Sequence, residues 1–350
     1  MTLAAGVVGA SGFAGGELLR LLTGHPEFDV VQATSREYEH KTVGHVHPNL
    51  RELDLRFSSP AELEAVDVLF TATPHGVTMG NVEQYLDAAD LLVDLSADFR
   101  LSAAELYDEW YDGHEAPEYL DAAAYALPEL GHDGLAEADI VASGGCNATA
   151  TMLALAPLVE ADLLVPGDHV VADLKVGSSE GGASGGSAAS HAERSGVVRP
   201  YAPTGHRHEA EILDQLGLDV DFTVHAVDMV RGAAATCHVY PDGPAAAEGV
   251  GTAALWGAYR DYYDDEPFVD IVAGGGGVYR YPEPKSVAGT NNAEVGFATD
   301  DESDRVVAFA AIDNVMKGAA GQAVHAANLA LGFDQTAGLN HQGLHPVGSP

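Results

Sequence analysis

Glycine spacing just after the first apolar run constrains this chain more than any other feature. The segment VVGASGFAGGELLRLL places Gly9, Gly12 and Gly15 at three-residue intervals. The apolar run Leu3 to Val8 precedes them, and Gly15 to Leu22 carries its apolar residues on one helical face. Each glycine then has its own task between a strand and a helix. Gly9 permits a tight turn, Gly12 lets backbone N–H groups approach a pyrophosphate, and Gly15 allows the helix to pack closely. The helix N-terminus directs about half a positive charge at the same place. A dinucleotide-binding turn is the reading; a purely structural turn is the alternative.

The segments that follow alternate in the same way. Phe28 to Ala33, Asp67 to Thr71, Leu91 to Leu95 and Asp139 to Ala142 read as strands, with a helix from about Thr78 to Ala88. Strands separated by helices imply a parallel, doubly wound α/β sheet of Rossmann type, ending near Ser143. A helix opens near Thr149, after which Asp168 to Val176, Phe222 to Met229 and Ala233 to Tyr240 read as longer strands. Such a run of strands implies an α+β domain with a largely antiparallel sheet. The Gly/Ser-rich stretch 177–196 reads either as a flexible linker or as a loop beside a site. A further helix is expected from about Val315 to Leu331, followed by a tail.

The end of the second strand bears on which dinucleotide is bound. NAD enzymes tend to place Asp or Glu there, to accept from the ribose 2′-hydroxyl. This chain has Thr34, Ser35 and Arg36, a set that suits the 2′-phosphate of NADP; Glu37 follows and keeps NAD open.

Two cysteines, Cys146 and Cys237, stand far apart, which excludes a disulfide framework and fits a reducing cytoplasm. Cys237 lies in the strand-like AAATCHVY and reads as a small buried hydrophobe. Cys146 follows Gly144 and Gly145 and opens a helical stretch. A helix N-terminus stabilises a thiolate, and backbone N–H groups beside it can hold an oxyanion. A nucleophilic thiol needs a base, and PTGHRHEAEI supplies His206 and His208 around Arg207. Only one of the two histidines need be catalytic, and if a helix begins near His208, Glu211 falls one turn on. No third ligand with recognisable spacing accompanies HRH, so no metal is expected. Ser96 and Arg100, in SADFR at the end of the strand LLVDL, sit where such sheets bind ligands, and Arg100 there suits an anion. The alternative is a surface pair of Asp98 with Arg100.

Composition narrows the partners. Lys plus Arg number 16 against 53 Asp plus Glu, a net charge of −37, and only Lys41, Lys175, Lys285 and Lys317 are lysines. This excludes nucleic acid and anionic membranes as partners, though a few arginines and backbone N–H groups can still bind one phosphate. An acidic, Lys-poor, Ala/Gly-rich chain resembles proteins of salt-accumulating archaea, where a Debye length of about 3 Å at 1 M salt screens self-repulsion. No stretch approaches 18 apolar residues and no signal-peptide pattern opens the chain, so a cytoplasmic protein is expected.

Together, GASGFAGGELLRLL, GHVHPNLR, PHGV, DLSADFRL, GCNATAT, PTGHRHEAEI, AIDNVMKGAAGQAVHAANL and the closing GLHP resemble the acyl-phosphate reductases of the aspartate-semialdehyde dehydrogenase-like superfamily. The chain is more similar to the N-acetyl-glutamyl-phosphate reductase group, and within it to the branch acting on substrates carried by the protein LysW. The branch rests on HVHPNL and on Gly-Gly-Cys-Asn-Ala-Thr in place of a Pro-Gly-Cys-Tyr-Pro-type segment. The resemblance implies NADPH-dependent reduction of LysW-bound aminoadipyl or glutamyl phosphate to the semialdehyde, through a thioester on Cys146, in lysine or arginine synthesis. It implies His208 as acid/base with His206 in reserve. Gly9, Ala10, Ser11, Gly12, Phe13, Gly15 and Thr34 to Arg36 would hold NADP, with Asn314 near the nicotinamide. Ser96, Arg100, Asn147, Arg207 and Arg231 would contact substrate.

The implied organisation is an NADP-binding domain at 1–145, a catalytic domain at 146–313, a helix at 314–332 returning to the first domain, and a tail at 333–350. A homo-oligomer, dimer or tetramer, and an acidic amino-group carrier are the implied partners. Reduction of free N-acetyl-glutamyl phosphate is the runner-up, then an aspartate-semialdehyde dehydrogenase; an NADP-binding sensor without catalysis is the non-enzymatic reading.

Overall fold

The computed structural model describes residues 2–132, 134–184, 186–242, 250–300 and 302–344. The last two residues of GLHP, and the tail beyond Leu344, lie outside them. The chain divides into two compact units: Met1–Gly144 with Gly181–Ser184 and Ala319–Asn340, and Gly145–Glu180 with Gly185–Gly318 and His341–Pro350.

The first unit runs β1 (Leu3–Val8), α1 (Phe13–Thr23), β2 (Phe28–Thr34), α2 (Val43–Val46), β3 (Phe57–Ser58), β4 (Val66–Thr71), α3 (Val82–Ala88), β5 (Ala89–Asp94), α4 (Ala104–Trp110), β6 (Ala123–Ala126) and β7 (Ile140–Ser143). Its seven strands lie in the order β3-β2-β1-β4-β5-β7-β6, and every neighbouring pair is parallel. This is the doubly wound sheet that the alternation predicts. The direction of winding reverses between β1 and β4, the place where such sheets bind ligands at their strand C-termini. The near-continuous apolar runs of β4 and β7 are buried almost throughout, as strands covered on both faces are.

Some details differ. Helix α1 begins at Phe13, two residues before the predicted start, which shortens the glycine turn. The helix expected from Thr78 is a 3-10 turn, Met79–Asn81, leading into α3. Strands β3 and β6 were not predicted, because two and four residues are too few to show a period of two.

The second unit runs α5 (Cys146–Glu160), β8 (His169–Val176), α6 (His191–Arg194), β9 (Val198–Ala202), α7 (His208–Leu216), β10 (Val220–Val227), β11 (Ala233–Tyr240), α8 (Thr252–Tyr263), β12 (Val269–Ile271), β13 (Ala293–Thr299) and β14 (Val306–Ile312). Its strand order is β12-β13-β14-β11-β8-β10-β9, with β12–β13 and β8–β10 parallel and the other pairs antiparallel. Burial alternates residue by residue along β8, β10 and β11, so one face of the sheet is covered and the other is not. Strands β13 and β14 are additions to the predicted set. The run VVAFAAI of β14 is apolar throughout, and periodicity alone does not separate such a run from a buried helix. Strand β9 contains Pro200, and it takes the sheet edge, where a missing N–H breaks no ladder.

Helix α5 lies on the covered face, and Asn147 to Leu158 are all buried. Pro157 removes the N–H that would bond the carbonyl of Leu153. The hydroxyl of Tyr263, from α8, donates to that carbonyl at 2.6 Å, and Tyr259 donates to the next one, Ala154, at 2.5 Å. Helix α9 (Gly321–Ala330) belongs to the first unit and follows a π-helical turn, Met316–Ala320. The expected single helix from Val315 to Leu331 is therefore two pieces of different pitch.

Candidate active site

In the first unit the glycine turn closes as its spacing requires. Gly9 has φ +75°, and a Cβ there would collide with the carbonyl of Ala72 at the end of β4. A Cβ on Gly15 would lie 2.5 Å from the Gly9 carbonyl oxygen, so α1 packs directly on the turn. Gly12 is different: its Cβ would meet only that oxygen, at 3.5 Å. It is also the N-cap of α1, with no side-chain cap, so no side chain fills the place where phosphate N–H donors are expected. Phe13 is exposed. From the HVHPNL motif, His47 Nε2 meets the carbonyl oxygen of Ala10 at 2.8 Å, and its ring fills the space above Gly16. Sequence reading gave that histidine no task.

At the end of β2, Ala10 N–H donates to the Thr34 carbonyl, and Ser35 Oγ donates to Ser11 Oγ at 2.9 Å. Thr34 and Ser35 are buried, and the Thr34 hydroxyl has no hydrogen-bond partner among the described residues. Arg36 is exposed. Glu37, the residue that keeps NAD open, is hydrogen-bonded to the hydroxyl of Tyr38, whose pKa it raises.

The segment after β5 is tied by two buried carboxylates. Asp94 accepts from Thr71 Oγ1 (2.7 Å), Thr78 Oγ1 (2.9 Å) and Ser96 Oγ (2.6 Å), and burial pushes its carboxyl up despite these bonds. Asp98 accepts from the N–H groups of Gly76 and Met79, at 2.8 and 2.9 Å, and faces His75 Nδ1. The alternative of an Asp98–Arg100 surface pair fails, because both residues are buried. Arg100 donates through Nε to the Ser143 carbonyl and through Nη2 to the Leu95 carbonyl, both at 2.8 Å, joining the ends of β7 and β5.

In the second unit the nucleophile candidate and its base candidates meet at one helix end. Helix α5 begins at Cys146 itself, three residues before the predicted start, with Gly145 as N-cap and no side-chain cap. Cys146 is half-buried; Cys237 is fully buried, and burial pushes its thiol up to about 12. Helix α7 begins at His208, which puts Glu211 one turn on. His208 Nδ1 accepts from the N–H of Ala148 at 3.3 Å, so the imidazole caps the first turn of α5, where Cys146 stands. With Nδ1 as acceptor, the neutral ring carries its proton on Nε2, which faces Glu211 Oε1 at 3.8 Å. Glu211 is fully buried, and its Oε2 accepts from the N–H of Gly145 at 2.8 Å.

His206 sits differently. Its Nδ1 accepts from the His208 N–H at 3.2 Å, and the two rings stand 4.6 Å apart. Burial first, and then the charge of Arg207, pushes His206 down to about 4, so this ring is neutral near pH 7. Arg207 itself is exposed.

Two further residues that sequence reading gave no role, Tyr201 and Glu180, join this end of α5. Tyr201 hydrogen-bonds Asn147, is close enough to Cys146 to feel its charge, and donates to Glu180 Oε2 at 2.8 Å. Burial raises both Tyr201 and Glu180. Asn147 is buried, and its Oδ1 has no hydrogen-bond partner among the described residues. Arg194 anchors the Gly/Ser-rich stretch by donating to the carbonyls of Val176 (2.7 Å) and Val227 (3.0 Å). Around Arg194, and at Ser178 and Ser179, that stretch is therefore fastened rather than a free linker. Tyr201 stands just before the HRH motif and Glu180 within the Gly/Ser-rich stretch, but neither has a spacing rule that would have found it.

Arg231 and Asn314 lie in the same unit. Arg231 Nη1 contacts Asp313 Oδ2 at 3.2 Å. Asn314 accepts from the Gly232 N–H at 2.7 Å and donates to Ser179 Oγ at 2.9 Å. Among the described residues no group of three or more His, Cys, Asp or Glu could hold a metal ion, and no helix is long and apolar enough to cross a membrane.

Profiles of known families cover most of the chain. The semialdehyde dehydrogenase NAD binding domain matches residues 4–138, and the semialdehyde dehydrogenase dimerisation domain matches residues 146–314. Proteins of Haloarcula marismortui and Haloquadratum walsbyi are each 68% identical, over 100% and 99% of both chains, and are provisionally named LysW-L-2-aminoadipate/LysW-L-glutamate phosphate reductase. A protein of Pyrococcus furiosus with the same name is 47% identical over 98% of this chain and 99% of its own. Among solved structures, aspartate semialdehyde dehydrogenase II of Vibrio cholerae, complexed with ASA, superposes with a TM-score of 0.70 at 16% identity, over 95% of this chain and 98% of that one. Aspartate semialdehyde dehydrogenase of Candida albicans, with NADP, gives 0.67 at 15%, over 94% and 98%. At such identities these two share the fold, while the haloarchaeal relatives share two residues in three; the chain belongs to the semialdehyde dehydrogenase family.

Proposed function

We propose that this protein is an NADPH-dependent reductase of an acyl phosphate carried on a LysW-like protein, aminoadipyl or glutamyl phosphate, in lysine or arginine biosynthesis. One observation carries the chemistry: Cys146 opens a buried helix whose first turn is capped by His208, with the carboxylate of Glu211 behind both. The carrier rests on the names of the relatives at 68% identity.

Cys146 Sγ, as thiolate, attacks the acyl carbon; phosphate leaves with the electron pair of the C–O bond, and a thioester remains. N–H groups at the start of α5 favour the thiolate and the developing oxyanion. Bound NADPH supplies the hydride that reduces the thioester carbonyl. As the C–S bond then breaks, the semialdehyde departs and the thiolate reforms. His208 handles the thiol proton, and His206, neutral and bonded to the His208 N–H, holds it in position. In the second unit, Asn147, Arg207 and Arg231 would contact substrate.

The uncapped first turn of α1 and the open side of Gly12 fit a pyrophosphate, with Gly9, Ala10, Ser11, Phe13 and Gly15 shaping the turn. Ser35 and Arg36 suit the 2′-phosphate of NADP beside Thr34, because Glu37 is taken up by Tyr38. Asn314 is assigned to the nicotinamide side. The first unit, with α9, would be the cofactor domain and the second the catalytic one. The uncovered sheet face and the dimerisation-domain match support a homo-oligomer, dimer or tetramer, and the two widely separated cysteines fit a reducing cytoplasm.

The test is turnover of NADPH with carrier-linked acyl phosphate against free N-acetyl-glutamyl phosphate. Turnover of the carrier-linked substrate, abolished in Cys146→Ser, is expected. Turnover of the free substrate alone overturns the carrier, and an active Cys146→Ser overturns the thioester.

A further inference from the structure

The π-helical turn Met316–Ala320 brings Gly318 against the start of α5. A Cβ on Gly318 would lie 2.5 Å from Cys146 Cβ and 3.1 Å from Cys146 Cα. The first of these atoms belongs to a side chain but is bonded to the backbone, so it has no flexible end with which to give way. The contact therefore exists only because residue 318 has no side chain. Single π-turns occur inside helices mostly at functional places, since the wider ring costs regular hydrogen bonding.

The turn is held firmly. Asp313 is fully buried and its carboxylate accepts from four donors: Val315 N–H (2.9 Å) and Met316 N–H (3.2 Å) on Oδ1, Gly289 N–H (2.7 Å) and Arg231 Nη1 (3.2 Å) on Oδ2. Its carbonyl accepts from the Gly318 N–H at 3.0 Å. One residue thus grips the strand end, the loop before β13 and the turn that reaches Cys146.

We propose that Gly318, fastened by Asp313, is a positioning residue for Cys146: its bare backbone backs the Cys146 Cα–Cβ bond and so sets the direction of the thiol at the start of α5. The proposal rests on Cys146 as the nucleophile. A methyl group at 318 has to displace Cys146, whereas loosening Asp313 lets the turn drift from it. Both changes misdirect the sulfur; the second also loosens Arg231, so for Asp313 only the alkylation rate, which needs no substrate, is read.

The experiment compares Gly318→Ala with Gly257→Ala, a control on α8 where a Cβ meets nothing within 4 Å. The readouts are kcat and KM, and the rate of iodoacetamide alkylation at Cys146 across pH 6 to 9, followed by mass spectrometry. Alkylation needs no substrate or cofactor, so it separates this proposal from the assigned reaction; loss of turnover in Cys146→Ser tests that reaction independently. In Gly318→Ala, kcat and the alkylation rate are expected to fall at least tenfold with KM within threefold, and the control to stay at wild-type values. Rates within twofold of wild type in folded Gly318→Ala overturn the proposal. If that variant does not fold, Asp313→Asn is read in the same way: a fall of about fivefold in alkylation supports the proposal, and an unchanged rate overturns it.

Discussion

Glu211 and Gly145 are joined by a 2.8 Å hydrogen bond from the Gly145 N–H to the buried carboxylate, 66 residues apart in sequence and one residue before the thiol. The other oxygen of that carboxylate faces His208. Glu211 therefore fixes the start of α5 and places a negative charge behind the proposed acid/base. Glu211→Gln keeps an acceptor for Gly145 but loses the charge. We expect kcat to fall roughly tenfold to hundredfold, within what one acid/base contributes, with the melting temperature nearly unchanged. Steady-state kinetics beside a thermal melt check it.

His206 predicts a pH dependence of stability. Its folded pKa lies near 4, below the ordinary 6.5, so between these values the unfolded chain binds more protons than the folded one. Stability contributed by the neutral ring is present above about pH 6.5 and is lost as pH falls towards 4. The loss is at most roughly 3.5 kcal/mol, from about 1.4 kcal/mol per pH unit. His206→Asn should flatten the difference in melting temperature between pH 7 and pH 4.5 relative to the wild type. Equal slopes in both proteins refute the assignment.

The doubly wound sheet and its glycine turn were legible because a period, a spacing and a switch of period all agreed. Cys146 and His208 were legible as chemistry by residue type, and the helix starts at both positions explain why. The buried fasteners were not. Asp313 looks like any of 53 acidic residues, and Asp98 and Glu211, though noticed beside Arg100 and His208, show no sign of fastening the backbone until the fold brings N–H groups to them. Strand β14 was missed for a different reason: its run VVAFAAI has no polar residue and so shows no period of two.

Tyr263 is expected to matter for stability alone. Its hydroxyl serves the carbonyl that Pro157 leaves without an N–H. Tyr263→Phe buries that carbonyl unpaired, at a cost of about 1–3 kcal/mol. A lower melting temperature with unchanged kcat is expected; in Pro157→Ala/Tyr263→Phe, where the helix can restore its own bond, much of the loss should disappear.

Arg36 should decide between cofactors. Removing a guanidinium that binds a phosphate loses a charge-assisted hydrogen bond, so Arg36→Leu should raise KM for NADPH roughly tenfold or more. KM for NADH should change by less than threefold. Equal effects on both cofactors would deny contact with the 2′-phosphate.

The charge of −37 sets a salt requirement. Lowering salt from 1 M to 0.1 M lengthens the Debye length from about 3 to about 10 Å, so repulsion among surface carboxylates grows. The melting temperature should fall on that dilution, and sodium chloride should restore it.

The carboxylates that grip backbone N–H groups have a consequence for how ligands arrive. Asp98 holds the turn after β4, Glu211 the residue before Cys146, and Asp313 the turn that backs it, each through hydrogen bonds within the chain. The entropy of ordering these segments is therefore lost when the chain folds and not when a small molecule binds. Cofactor association should accordingly follow a single exponential whose rate rises linearly with concentration, with no slower phase of loop closure behind it.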